Sequence, residues 1–407
     1  MYLKGGFSVK HIVVVGAGQA GFSFVSKLRN LGSEDTLTLI GSETAPPYQR
    51  PPLSKKYLLG EMDIERLYLR PLSFYKDQNI NLRLNIEVTS VNSAEKTISV
   101  GDEIINYDEL VFTTGSIPNY LPAKLGGNLN GVYVVRNLSD VDGIVSEFIE
   151  KRHVLIIGGG YIGLEAAAVA SKLGLQVTLV EMGERILQRV ACSETSDYFR
   201  DLHKDHGVNI LENVGVKQLI GNDRIAKVEL TDGSNIEVDF VIVGIGITPS
   251  TKLAEIAGCE IDNGIKTDSK GRTSVKSIWA AGDCASFPYK DTRIRLESVP
   301  NAIEQAELVA ENIMHINKEY VAKPWFWSDQ FDVKLQIAGL NSGFNDVVTR
   351  KSSTSVSFWY YKDHQLLAVD AMNDPRAYMI GKRLIEAGRS PSKDLIKDIA
   401  VDLKSLL

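Results

Sequence analysis

Cysteine is scarce. Of 407 residues only Cys192, Cys259 and Cys284 are cysteines, and no two stand in a CxxC spacing. That excludes a disulfide-built scaffold and a thiolate metal finger, and it suits a reduced, cytoplasmic protein without a metal site. Long apolar runs are missing too. Nothing approaches the roughly 20 residues that span a bilayer, and the opening "MYLKGGFSVKHIVVVGAG" lacks the architecture of a signal peptide. Nor is there an excess of positive charge. The formal net charge is -6 and the isoelectric point about 5.7, which speaks against nucleic acid or an anionic membrane as the main partner. No low-complexity linker separates the parts.

What is present is the composition of a globular protein, 44% apolar and 24% charged, in a chain too long for one core. Two or three domains are expected. Two stretches repeat one grammar. "KHIVVVGAGQAGFSFVSKLRNLGSEDTLTLIG" reads strand, glycine turn, helix, strand, with Gly16, Gly18 and Gly21 in a GxGxxG pattern. "RHVLIIGGGYIGLEAAAVASKLGLQVTLVE" repeats it with Gly158, Gly160 and Gly163, a helix ending near Gly174, and an acid, Glu181, after the second strand. The distance between them is too great for a solenoid and suits two dinucleotide-binding domains. One GxGxxG is weak evidence, whereas the full strand–turn–helix context met twice is strong. The first glycine permits the tight turn, the second admits a pyrophosphate, and the third lets helix and strand pack. The free N–H groups of the helix N-terminus face the anion.

"DELVFTTGSIPN" and "DFVIVGIGITPS" read as apolar strands ending in glycine turns, and "RTSVKSIWAAGDCA" as a further strand ending near Asp283. From Lys323 the composition changes. "KPWFWSDQFDVKLQIAGL" is strand-like, and "SVSFWYYKDHQLLAVDAM" is a hairpin turning near Asp363. "AYMIGKRLIEAG" and "KDLIKDIAVDLKSLL" read as helices, so residues 323–407 form an α+β domain.

Two residues stand out. Lys55 sits in the stiff, proline-rich "PPYQRPPLSKKYL", and Glu165 interrupts the small, apolar "GGGYIGLEAA". The proline loop fixes the backbone that carries the lysine. A meeting of the two would serve a charge-bearing site or a plain interdomain salt bridge.

"GAGQAG", "PYQRPPLSK", "TTGS", "GGGYIGLE", "GIGI", "AAGDCA", "RLESVPNA" and "PWFWSDQ", in this order over nearly the full chain, resemble the NADH-dependent ferredoxin reductases of bacterial oxygenase systems, the putidaredoxin reductase-like flavoproteins. The resemblance implies two Rossmann-like domains of the glutathione-reductase type plus a C-terminal α+β domain. FAD would occupy residues 1–116 and 244–322, NAD residues 117–243, and residues 323–407 would cover the flavin. It also implies passage of single electrons to a 2Fe-2S ferredoxin serving a haem-thiolate monooxygenase or a ring-hydroxylating dioxygenase; the sequence does not display the oligomeric state, and a monomer is the expectation.

By the same resemblance Lys55 and Glu165 pair beside flavin N5, where a cation stabilises the reduced ring, and Trp327 lies against the flavin away from the nicotinamide. FAD contacts carried over are Gly16, Gly18, Ala20, Gly21, Arg50, Val88, Thr114, Gly115, Arg136, Asp283 and Val299. Val88 fits a core strand position equally, and Asp283 fits a helix N-cap as well as a ribityl contact. The first ribose contact falls on Ser42 or Glu43, because the acid usual after that glycine is displaced by one. Ile117 stands where many relatives have arginine. On the NAD side Gly158, Gly160, Gly163 and Gly246 shape the cradle, and Tyr161 and Ile162 line the nicotinamide. Glu181 would accept from the ribose 2′-hydroxyl and repel a 2′-phosphate, with Arg185 nearby. Arg293, Arg295, Lys334, Lys382 and Arg383 are expected to steer the acidic partner. Residues 41–56 hold no cysteine, so a disulfide reductase lacks its nucleophile. A rubredoxin reductase remains a neighbouring reading, and an apoptosis-inducing-factor-like binding flavoprotein a non-catalytic one that the acidic charge disfavours.

Overall fold

The computed structural model describes residues 9–407; the signal-peptide expectation falls largely on residues 1–8, outside the described residues. By internal contacts the chain divides into two compact units. One comprises residues 1–49, 64–117 and 248–322; the other comprises 50–63, 118–247 and 323–407.

The first unit is built on a five-stranded parallel sheet. In spatial order its strands are Ile278–Ala280, Glu109–Phe112, His11–Val15, Thr36–Ile40 and Ile80–Arg83. His11–Val15 is apolar throughout because both of its faces are covered. Ile12 and Val14 pack with Phe24, Leu28, Ala306 and Val309 of the helices Gln19–Asn30 and Val299–Ile313. Val13 and Val15 pack with Val91, Ile98 and Ile105 of a three-stranded antiparallel sheet.

The second unit repeats the parallel plan in the order Asn209–Glu212, Gln176–Glu181, His153–Ile157, Phe240–Val243 and Val132–Tyr133. The repeat extends to side chains. His11 Nε2 lies 2.9 Å from Thr38 Oγ1, and His153 Nε2 lies 2.9 Å from Thr178 Oγ1. The His11 amide donates to Asp108 and the His153 amide to Asp239, each at 2.7 Å. Each glycine-turn helix ends at a left-handed glycine, Gly32 or Gly174. Such a residue adopts this conformation without a Cβ penalty.

The second unit also holds a five-stranded antiparallel sheet, in the order Trp325–Gln330, Val333–Gly339, Gln365–Met372, Val356–Lys362 and Asp346–Lys351. Its hairpin turns at Asp363, with φ 54°, as the sequence suggested. The helix Pro375–Glu386 packs on one face through Ala377, Ile380 and Leu384. The last expected helix is not continuous. It breaks into Lys393–Lys397 and a short turn at Leu403–Leu406. The reason is Arg350, whose guanidinium donates to the carbonyls of Ile396, Asp398, Ile399 and Val401. Carbonyls taken by a side chain no longer need helical amides. Among the described residues no helix is long and apolar enough to cross a membrane, and no cluster of His, Cys, Asp or Glu could hold a metal ion.

Candidate functional site

Two glycine cradles have one geometry. In the first unit Gly16 has φ 118°, and a Cβ there would stand 2.2 Å from the Thr113 carbonyl oxygen; a Cβ on Gly21 would stand 2.0 Å from that of Gly16. In the second unit Gly158 has φ 108°, and a Cβ would stand 2.4 Å from the Gly244 oxygen; Gly163 meets the Gly158 oxygen at 2.1 Å. These positions admit only glycine. Gly18 and Gly160, by contrast, open onto free space and cap helices that have no side-chain cap. The first-turn amides therefore have no partner within the helix, the arrangement that favours a bound anion.

The surroundings of each cradle differ. In the first unit Ala20 is buried and packs against Gly282, where an added Cβ would stand 3.0 Å from that of Ala20. Gly282 was not singled out from sequence, although its place in "AAGDCA" is informative. Asp283 follows in a turn before the strand Ala285–Tyr289 and accepts from Ser116 Oγ at 3.2 Å. It caps no helix: the next helix begins at Val299 and is capped by Ser298. The helix-cap reading of Asp283 therefore fails, because Gly282 is left-handed, with φ 83°, and turns the chain into a strand. Thr114 Oγ1 donates to the Ser250 carbonyl at 2.7 Å, and Gly115 accepts from the Ser250 amide. Val88 is a core residue packed with Val13 and Val15, in a loop rather than a strand. Ser42 is exposed, while the Glu43 carboxylate is half-buried and accepts from the Tyr48 hydroxyl at 2.5 Å.

In the second unit Glu181 ends its strand. One carboxylate oxygen accepts from the Gly159 amide and the other from the Gly183 amide, both at 2.7 Å. The acid is thus pinned against the glycine turn. Arg185 faces away from it: the guanidinium donates to the carbonyls of Ala191 and Cys192 and to Ser196 Oγ. Ile162 is exposed, and Gly246 is left-handed beside Asn119. Tyr161 stacks obliquely on Phe326 with ring centroids 5.0 Å apart, and burial pushes its hydroxyl well above the usual range.

The two odd residues meet within this second unit. Pro51–Ser54 forms a 3-10 turn, with prolines at its start and the Lys55 amide closing it on the Pro52 carbonyl. Proline suits this first turn because its missing N–H has no partner there. Lys55 Nζ donates to Glu165 at 2.7 Å and to the Pro51 carbonyl at 3.2 Å. Glu165 is 2% exposed, and its second oxygen accepts from Ser328 Oγ at 2.6 Å while Ser54 Oγ joins Lys55 on the first. Ser54 and Ser328 were not foreseen. Arg50 donates to the Arg136 carbonyl at 2.8 Å. Trp327 is half-buried on the strand Trp325–Gln330, 5.6 Å in ring centroids from Trp325. The three cysteines are free and buried, and burial raises each thiol above its ordinary range.

The proposed steering residues fare unevenly. Arg293 donates to the carbonyls of Thr267 and Ser286, and Arg295 is 10% exposed and paired with Glu297 at 2.6 Å. Neither is a free surface charge. Lys382 lies over the Trp325 ring, whereas Lys334 and Arg383 are exposed.

The pyridine nucleotide-disulphide oxidoreductase pattern matches residues 10–306 and the reductase C-terminal pattern residues 325–407. The chain is 41% identical to a ferredoxin–NAD(P)(+) reductase of a Sphingomonas species, over 92% of each chain. It is 39% identical to rhodocoxin reductase of Rhodococcus erythropolis, over 97% of this chain and 93% of that one. In structure it is similar to a chain of the covalent putidaredoxin reductase–putidaredoxin complex, with a TM-score of 0.95 and 36% identity over 98% of each. The chain belongs to the pyridine nucleotide-disulphide oxidoreductase family and carries its reductase C-terminal domain.

Proposed function

We propose that the protein is an FAD-dependent NADH:ferredoxin oxidoreductase of an oxygenase system, cytoplasmic and monomeric, whose partner is a 2Fe-2S ferredoxin. FAD occupies residues 1–116 and 244–322, NAD residues 117–243, and residues 323–407 cover the flavin. A relative named as a ferredoxin–NAD(P)(+) reductase and another named as a rhodocoxin reductase support the reading along nearly the whole chain. The observation that carries it is the buried Lys55–Glu165 pair in a member of a disulphide-reductase family whose own thiols are all buried and raised by burial. Dithiol chemistry needs an accessible thiolate. Electrons must therefore leave by another route, and a protein acceptor of single electrons supplies it.

The residues fit both cofactors. The uncapped helix starts at Gly18 and Gly160 would each hold a pyrophosphate, and Glu181 would hold the NAD ribose. When bound, FAD would supply hydride acceptance and one-electron release. Lys55 supplies a fixed positive charge toward that chemistry. Glu165, held by two serine hydroxyls, orients the ammonium. Arg185, tied to carbonyls, offers no charge to a 2′-phosphate. Arg50, Arg136, Thr114, Gly115, Asp283 and Val299 are assigned to FAD. Tyr161 and Ile162 are assigned to the nicotinamide side.

The test is anaerobic stopped-flow reduction of the yellow holoprotein, followed by electron delivery to added 2Fe-2S ferredoxin. NADH bleaches the flavin much faster than NADPH, and Glu181→Ala narrows the gap. A preference for NADPH, or no ferredoxin reduction by any acidic 2Fe-2S partner, refutes the proposal.

A further inference from the structure

A line of buried polar groups continues beyond Glu165. Ser328 Oγ, which donates to Glu165, itself accepts from Gln330 Nε2 at 3.1 Å. Gln330 Oε1 lies 2.9 Å from His203 Nε2. Ser328, Gln330 and His203 are each 0% exposed. An amide oxygen can only accept, so His203 carries its proton on Nε2. Its Nδ1 has no hydrogen-bond partner among the described residues. Every hydrogen along the line therefore points one way: from His203 to Gln330, to Ser328, to the carboxylate. From the other side Ser54 and Lys55 also donate to it.

The strand Trp325–Gln330 builds this by alternation. Phe326 meets Tyr161 and Ser328 meets Glu165, while Gln330 meets His203 on the helix Ser193–Asp205. Residues two apart share one face of a strand. A single strand face thus touches three functional or buried groups of the same unit.

The line is not a proton relay. The glutamine amide would have to pass through an unfavourable tautomer, and among the described residues no group beyond His203 Nδ1 continues the path. A chain of donors ending on a carboxylate does something else. It keeps one oxygen occupied, so the other is reserved for Lys55 and Ser54. We propose that Ser328, Gln330 and His203 are positioning residues that act through Glu165 to fix the Lys55 ammonium for hydride transfer. This rests on the reading of Lys55 as a charge directed at the flavin.

The experiment uses the FAD-loaded protein and three measurements: the rate constant of anaerobic flavin reduction, the dissociation constant for NADH from its concentration dependence, and the flavin midpoint potential. Ser328→Ala and Gln330→Met each lower the rate constant about tenfold. NADH affinity stays within about twofold, because nothing that binds the dinucleotide is touched. The potential moves in the negative direction by up to about 30 mV, the two-electron equivalent of tenfold. Ser328→Thr, which keeps the hydroxyl, restores both. A purely structural role would not move the potential with stoichiometric FAD retained. If Gln330→Met does not hold FAD, Ser328→Ala, which deletes one oxygen, decides the matter. Wild-type rate and potential in Ser328→Ala, with Lys55→Met slow, overturn the inference alone. A Ser328→Thr variant as slow as Ser328→Ala overturns it too. An unaffected Lys55→Met overturns the reading beneath it as well.

Discussion

Removing the Lys55 ammonium tests whether the buried pair serves chemistry or only stability. In Lys55→Met the apolar stem is kept, and Glu165, 2% exposed, loses its only ion-pair partner among the described residues. Breaking a buried pair costs about 3–5 kcal/mol. Here the low end applies, because Lys55 is 16% exposed and Ser54 and Ser328 still donate to the carboxylate. A loss of about 3 kcal/mol lowers the melting temperature by about 6–12 °C in a domain of this size. Lys55→Met/Glu165→Leu removes both charges, so most of that loss returns. Hydride transfer behaves differently. It depends on the ammonium itself, so Lys55→Met slows flavin reduction about 100-fold, Glu165→Ala slows it more mildly, and the double variant stays slow. Thermal unfolding by circular dichroism and anaerobic stopped-flow reduction read the two effects separately. A double variant that regains both stability and rate would show that the pair is structural and that the charge argument is wrong.

Trp327→Ala should change flavin absorbance and slow electron delivery to the ferredoxin; normal spectra with normal delivery would place the indole away from the flavin. Because Arg293 and Arg295 are held by their own unit, steering falls to Lys334 and Arg383. Reversing these two to glutamate should raise the apparent KM for ferredoxin, and turnover should fall with salt while flavin reduction does not. A salt-independent reaction moves the docking face elsewhere. Burial raises Asp370, which accepts from Thr195 at 2.7 Å, to about 6, and lowers His203 to about 4. From about pH 4 to 6 the folded chain holds a proton on Asp370 that the unfolded chain lacks, so this group loses stability as pH rises; His203 is protonated only when unfolded and gains it. The two oppose each other, so Asp370→Asn, which leaves His203 alone, should gain stability relative to wild type by up to about 3 kcal/mol between pH 4 and 7. Denaturant unfolding at both pH values checks this, and a constant difference refutes it.

The glycine cradles were legible because each position has a local requirement that the spacing displays. The pairing of Lys55 with Glu165 was legible because each residue is anomalous where it stands. Other features depend on contacts that no local pattern carries. The terminal helix reads well from its own sequence and breaks because Arg350, far back in the chain, takes its carbonyls. Arg185 stands close to Glu181 in the sequence and is instead bonded to Ala191 and Cys192. Asp283 reads as a cap until the left-handed Gly282 sends the chain into a strand.

Ser328 and Gln330 carry a signal in the sequence itself. "WFWSDQ" draws the eye to its aromatics, yet its period-two alternation sets Phe326, Ser328 and Gln330 on one face. Polar residues on the inward face of a strand must find partners, since an unpaired buried group costs about 1–3 kcal/mol. Glu165 on a small, apolar helix carries the same obligation from the other side. A serine and a glutamine needing partners, set against a carboxylate needing donors, define a complementary pair of surfaces before any coordinates exist. What the chain does not display is which helix completes the line, and that is why His203 emerges only from the fold.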